Sequence, residues 1–252
     1  MIIQSQKDII EFLSRPETYG PAVKRVERID THVSVLFLAG NRAFKLKRAV
    51  KFPYLDFSTV AKRRDACEAE VRINRRTAPD IYLGTVAVTK SPKGKIGLSG
   101  PGETIEWLVE MSRFEQAGLF DRLAQNHALT TRHIEDLAEV ISQFHDSAEI
   151  CRNKNARKLI EAVIENNADC FAELGDGVFD SEVVKALTDS SKYFSAVIGN
   201  ILESREEKGR IRHCHGDLHL CNIVLIENTH TLFDGIEINP DLAEIDDLYD
   251  LA

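Results

Sequence analysis

The sequence predicts an α+β fold, and three observations carry that reading. Short β-branched and aromatic runs bounded by Gly, Pro and Asn fill most of residues 23–111, interrupted by one long amphipathic stretch. Residues 118–205 instead show the three-and-four apolar spacing of helices. Beyond them two short apolar runs return as a hairpin at residues 223–233.

Taken in order, Ser5 caps a short helix reaching Ser14, with Ile9, Ile10, Phe12 and Leu13 as its apolar face, and Arg15-Pro16 ends it. Residues 23–29 and 33–38 read as strands, followed by an Ala39-Gly40-Asn41 turn and a strand at 42–47. In that third strand Lys45 and Lys47 point to one face, Phe44 and Leu46 to the other. From the residues alone, two lysines on one face also fit a solvated edge. Residues 56–59 cap a long helix in which Val60, Cys67, Val71 and Asn74 recur at helical spacing. Glu70 lies on that stripe, and a carboxylate at the edge of a buried stripe needs a partner. Either a distant cation or one of the neighbouring arginines, Arg63, Arg64, Arg72, Arg75 and Arg76, supplies it.

Ala78-Pro79-Asp80 breaks the helix, and residues 81–89 and 104–111 give further strands around a turn at Ser91-Pro92-Lys93-Gly94. Helices follow at 119–125, 132–148, 156–174 and 180–203. His145 falls on the apolar face of the second of these and reads as a hydrogen-bonded core histidine. Residues 241–251 read as the start of an acidic helix, which Ala252 cuts in mid-pattern.

The 252 residues, 43% hydrophobic and 29% charged, are enough to bury a full core as one bilobal unit or two small domains. A net charge of −8 argues against nucleic-acid and anionic-membrane partners, which need a basic face, and is compatible with a cationic substrate. The five cysteines, Cys67, Cys151, Cys170, Cys214 and Cys221, contain no C-x-x-C pair, so neither a disulfide framework nor a zinc ribbon is expected. Met1 to Asp8 has no basic segment leading into an apolar one, and no apolar run has the length of a membrane span. A reducing cytoplasm is the expected location.

The chemistry concentrates in residues 213–234. Ile223 to Ile226 and Thr231 to Phe233 form a hairpin whose turn, centred on Asn228, sets Asn222 opposite Asp234, with Asp217 on the loop feeding the same end. Amide and carboxylate oxygens are hard ligands suited to Mg²⁺, and a carboxylate left free of metal can accept a hydroxyl's proton. His215-Gly216-Asp217-Leu218-His219-Leu220-Cys221-Asn222 resembles the kinase catalytic loop H-R-D-L-x-x-x-N with Gly for Arg, and Asp234-Gly235 stands where D-F-G would begin. The H-G-D form is similar to that of the aminoglycoside phosphotransferase and choline kinase branch of the protein-kinase-like fold. More closely, the chain resembles the kinase-like half of bacterial proteins often fused to a P-loop ATPase.

That resemblance implies a bilobal fold: a nucleotide-binding lobe at residues 1–110 and a helical catalytic lobe at 111–252, incomplete because further helices normally follow. It implies a cytoplasmic small-molecule kinase, using ATP or GTP with Mg²⁺ to phosphorylate a hydroxyl acceptor, with a fused or associated P-loop ATPase as partner. Asp217 would be the base, Asn222 and Asp234 the metal ligands, Lys45 (or else Lys47) the phosphate lysine and Glu70 its helix partner. Thr31 and Ser34 occupy the place of the Gly-rich phosphate loop without a glycine, where an ordinary polar turn fits equally well. Glu110 and Met111 would offer backbone groups to the base, with core packing as the alternative. Asp246 and Asp250 match a region of structural or substrate-facing carboxylates. The helical block before the catalytic loop is where such enzymes shape the acceptor pocket. Two other functions are compatible with these residues: a nucleotide-binding regulatory module without turnover, and a metal-dependent hydrolase built on His213, His215, Asp217 and His219.

Overall fold

The structure, a computed structural model, describes residues 5–52, 55–174, 177–239 and 242–251. The readings placed on Met1 to Gln4, on Asp241 and on Ala252 lie outside the described residues. In chain order the elements are α1 (Lys7–Leu13), β1 (Val26–Asp30), β2 (Ser34–Ala39), β3 (Arg42–Lys47), β4 (Lys51–Phe52), β5 (Leu55–Asp56), α2 (Val60–Asn74), β6 (Tyr82–Lys90), β7 (Ile96–Leu98), β8 (Glu103–Ser112) and α3 (Phe120–Gln125). There follow α4 (Thr131–Ser147), α5 (Ala156–Leu174), α6 (Ser181–Val197), α7 (Gly199–Glu207), β9 (Ile211–His213), β10 (Ile223–Ile226), β11 (Thr229–Leu232) and β12 (Glu244–Asp246). This is a mixed α and β architecture around antiparallel sheets, as the α+β reading expects.

The chain forms two compact units, residues 1–140 with 217–239 and residues 141–216 with 240–252. The first holds a six-stranded antiparallel sheet in the order β1-β2-β3-β8-β6-β7. Both faces of its middle are covered. Leu13, Val35, Phe37, Phe44, Leu46 and Leu108 cluster on one side with α1, whereas Leu38, Ala43, Cys67, Val71, Val109 and Met111 cluster on the other with α2. Burial on both faces explains why β2 reads as an unbroken apolar run rather than an alternation. Thr59 caps α2, its side chain accepting from the Lys62 N–H at 3.3 Å.

The hairpin of the first unit differs from expectation in register. Ile226 pairs with Thr229, leaving a two-residue turn of Glu227 and Asn228, both at positive φ as the tightest hairpin turns require. The centre thus lies between those residues, and Asn222 faces Phe233, whose N–H it accepts at 3.0 Å. Asp234 stands one residue further on, turned by a left-handed φ of 61°.

In the second unit the helix expected at 180–203 is two helices meeting at Ile198, with Gly199 and Asn200 following as weak helix formers. The acidic helix expected after Asp241 is absent among the described residues. Glu244–Asp246 instead pairs antiparallel with β9, and Arg205 fixes its end by binding Asp246 at 2.6 and 2.8 Å. Across the described residues no helix is long and apolar enough to cross a membrane.

Candidate functional site

The candidate site lies wholly within the first unit, around a cavity of about 410 Å³. Its lining includes the apolar Leu36, Leu38, Ala43, Met111, Phe114 and Phe233 and the polar Lys45, Lys47, Asp217, His219, Asn222, Asp234 and Glu237.

Period-two geometry puts Lys45 and Lys47 on the same face of β3, and α2 packs over that face. The solvated-edge reading therefore fails, since Lys47 is 1% exposed. Glu70 is fully buried and spends one oxygen on each lysine: Oε1 lies 3.0 Å from Lys45 Nζ and Oε2 2.6 Å from Lys47 Nζ. Lys45 also reaches Asp234 Oδ1 at 2.5 Å, and Lys47 reaches Glu237 Oε1 at 2.5 Å. Both lysines are needed to hold so many carboxylates in a dry site. Burial opposes the charge on Lys45, but Asp234 and Glu70 together outweigh it and hold its pKa well above the usual lysine range. Burial likewise pushes Glu70 up, and the two lysines more than reverse it, leaving its pKa low. Glu237 goes the other way: burial and the Glu70 charge raise it beyond what Lys47 offsets.

The turn after β11 is held from α2 and β6. Gly235 N–H donates to Asn74 Oδ1 at 2.7 Å, Asn74 Nδ2 donates to the Glu70 carbonyl at 3.0 Å, and Asp234 N–H donates to the Tyr82 hydroxyl at 3.1 Å. Asn74 thus ties the Asp234 turn to the helix that carries Glu70.

On the loop before β10, Asn222 Nδ2 donates to the Asp217 carbonyl at 2.8 Å and to its Oδ2 at 3.0 Å. His219 Nδ1 accepts from the Cys221 N–H at 3.2 Å, so the neutral ring carries its proton on Nε2, which lies 3.5 Å from Asp217 Oδ2. His219 therefore caps the short turn Leu220–Asn222 as well as lining the cavity.

The other expected positions fare unevenly. Thr31 and Ser34 line the cavity, but the Thr31 hydroxyl donates to the Ser34 carbonyl at 3.1 Å and accepts from its N–H at 2.9 Å, as in an ordinary polar turn. Glu110 and Met111 sit on β8 between β3 and β6, so ladder partners flank their backbones on both sides. Met111 lines the cavity, while the Glu110 side chain pairs with Arg42 at 3.3 Å. Ser112, Arg113 and Phe114 line the cavity further along, where the N–H groups of Ser112 and Arg113 already donate to the Ile81 and Asn41 carbonyls at 2.8 and 2.9 Å.

In the second unit His145 is a buried, hydrogen-bonded histidine, as expected. Its Nε2 lies 3.0 Å from Asp250 Oδ2, and Asp250 also accepts from the N–H groups of His215 at 2.9 Å and Gly216 at 2.8 Å. Gly216 has φ +82°, and a Cβ there would fall 2.9 Å from the Leu242 carbonyl oxygen, so only glycine fits. His145, Cys214 and Asp250 hold potential ligand atoms within 4.8 Å of one another. The Asp250 oxygens are already occupied, however, and burial pushes the Cys214 thiol up, away from the thiolate a metal needs.

Sequence reasoning missed Glu237, Asn74 and Tyr82. Only Asn74 left a signal, as a polar residue at an apolar position of the α2 stripe.

No family model matches this chain. Proteins from Mycobacterium bovis and from two strains of Mycobacterium tuberculosis, all described as uncharacterised, are 28% identical to it over 226 residues. The match covers 88% of this chain and 44% of each relative, so the chain spans less than half their length.

Proposed function

We propose that this chain is a phosphotransferase of the aminoglycoside phosphotransferase and choline kinase type, with a bilobal protein-kinase-like fold, moving the γ-phosphoryl group of ATP or GTP to a hydroxyl of a small molecule. One observation carries the reading. Lys45, Glu70 and Asp234, singled out from separate stretches of sequence by one motif set, meet at 3.0 and 2.5 Å beside a cavity that Asp217 and Asn222 also line.

The donors suit magnesium. Asn222 turns its amide nitrogen to Asp217, leaving its oxygen for a cation, and Asp234 adds a second hard oxygen. A bound Mg²⁺ would neutralise phosphate charge during transfer. Lys45, fixed by Glu70, would offer its charge to the phosphates. Asp217, steadied by Asn222 and His219, accepts the acceptor's hydroxyl proton. The apolar part of the lining, Leu36, Leu38, Ala43, Met111, Phe114 and Phe233, suits a nucleobase.

The test is a titration of ATP and GTP with and without Mg²⁺, followed by a transfer screen over hydroxyl acceptors. Metal-dependent binding that Asp234→Ala abolishes is the expected result; unchanged affinity in that variant would remove Asp234 from the site. The self-contained turn at Thr31 and Ser34 favours a second reading, a regulatory module that binds nucleotide without turnover. Binding without transfer to any acceptor would support it.

A further inference from the structure

Helix α6 is packed inside out. Its covered side carries Val184, Thr188, Ser191 and Ser195, mostly small or polar. Its open side carries Val183, Leu187, Phe194 and Val197, which are 65, 53, 62 and 59% exposed, and Ile201 in α7 extends the row at 61%. With Ser190 between them, these positions advance by alternating steps of four and three, the seam of a coiled coil. Ile198 bridges the break: its N–H bonds the Phe194 carbonyl of α6 at 3.0 Å, and its own carbonyl accepts from the N–H groups of Ile201 and Leu202 in α7 at 2.9 and 3.0 Å, so helical hydrogen bonding runs through it. Five aliphatic and aromatic side chains so exposed leave on the order of 500 Å² of apolar surface, a patch of the size that marks an interaction site.

We propose that a second copy of this chain covers the seam, α6 running antiparallel to α6 about a two-fold axis. An isologous contact must be self-complementary, and this seam is. With the axis at residue 192, Val183 meets the second copy's Ile201, Leu187 meets its Val197, and Ser190 meets its Phe194. Every seam position is used, and the smallest side chain faces the largest. The positions flanking the seam, Val184, Ala186, Ser191, Tyr193 and Ile198, are uncharged, so the copies meet without like-charge repulsion. Lys185 and Asp189 point elsewhere and pair with each other at 2.5 Å. Two copies bury roughly 1,000 Å², the small end of specific interfaces, so a reversible dimer with a dissociation constant on the order of micromolar is expected.

Sedimentation equilibrium across roughly 1–100 µM protein tests this. The parent chain should pass from monomer to dimer, and Leu187→Glu and Phe194→Glu should each remain monomeric with an unchanged thermal melt, because both side chains are exposed. Ser190→Leu discriminates further. In the self-pairing it fills the space that receives Phe194 and weakens the dimer several-fold, whereas on a seam that merely gathers apolar partners it would tighten association. A parent chain that stays monomeric overturns the proposal and gives the face to another occupant, such as the segment the longer relatives carry beyond the matched region. A dimer that survives both glutamate variants, or one tightened by Ser190→Leu, overturns it as well.

Discussion

Lys47 lies two residues from Lys45, yet the two lysines serve different ends. Both line the cavity, but Lys45 touches the Asp234 carboxylate, while Lys47 sits 5.0 Å from the Phe57 ring centroid and holds Glu70 and Glu237 together. By neutralising Glu70 from behind, Lys47 leaves the Lys45 charge available to an anion in the cavity. Lys47→Met should therefore destabilise the protein by roughly 3–5 kcal/mol, the cost of leaving a buried carboxylate unpaired. Adding Glu237→Gln should recover much of that loss, and a double-mutant cycle by urea denaturation measures it; additive losses would mean the pair is not coupled. Asp217 calls for a different experiment, since a base and a metal ligand leave different marks when removed. Asp217→Asn should keep Mg²⁺-ATP affinity nearly intact and lower single-turnover transfer by roughly 10²- to 10⁴-fold. Lost nucleotide binding would recast Asp217 as a ligand. At this scale the sequence was legible where a motif spaced the residues, as for Lys45, Glu70, Asp217, Asn222 and Asp234. Glu237 and Asn74 were not, because their roles depend on partners brought from about 160 to 190 residues away by the fold.

Helix α2 was legible from its cap and its apolar spacing, whereas the partners of its buried polar residues were not. Its buried face carries Arg63, Glu70 and Asn74 among Cys67, Val71 and Ile73, and each of those three is satisfied from another element. Arg63 and Glu106 are both 0% exposed, and Arg63 Nε reaches the two Glu106 oxygens at 2.8 and 3.0 Å. Gln6 joins them, donating to Glu106 Oε2 at 2.8 Å and to the Lys47 carbonyl at 3.0 Å. This clamp sits two helical turns before Glu70 and sets the helix on the sheet. Glu106→Gln should cost roughly 3–5 kcal/mol by leaving Arg63 buried without its charge partner. Nucleotide affinity should fall with it, because Glu70 then loses its fixed distance to Lys45; a thermal melt and a titration on the same variant check both, and full affinity would mean that α2 is placed by packing alone. Elsewhere, β3 was legible to the residue because a Gly40-Asn41 turn and strict alternation bound it. The β10–β11 hairpin slipped because a Glu-Asn pair at positive φ is not an obvious two-residue turn. The strand β12 read as helix because its acidic residues alternate with only one apolar side chain, and its identity comes from pairing with β9.

Over the whole molecule, the α+β character was legible because strands and helices segregate along the chain, whereas the division into units was not, because residues 217–239 leave their sequence neighbours and join the unit formed by residues 1–140. That exchange has a functional consequence. The residues proposed to bind nucleotide and metal, from Thr31 to Asp234, belong to one unit, so ligand binding should stabilise that unit by mass action and leave the other unchanged. Hydrogen exchange with and without saturating Mg²⁺-ATP reads the two separately. Amides of β3, α2 and the β10–β11 hairpin should exchange more slowly with ligand, by about 100-fold at a ligand concentration near 100 times the dissociation constant where exchange proceeds through opening of the whole unit. Those of α5, α6 and α7 should keep their rates. Equal protection of α5 to α7 would mean that the two units open together as one cooperative body, and protection confined to α5–α7 would place the nucleotide outside the cavity that Lys45 and Asp234 share.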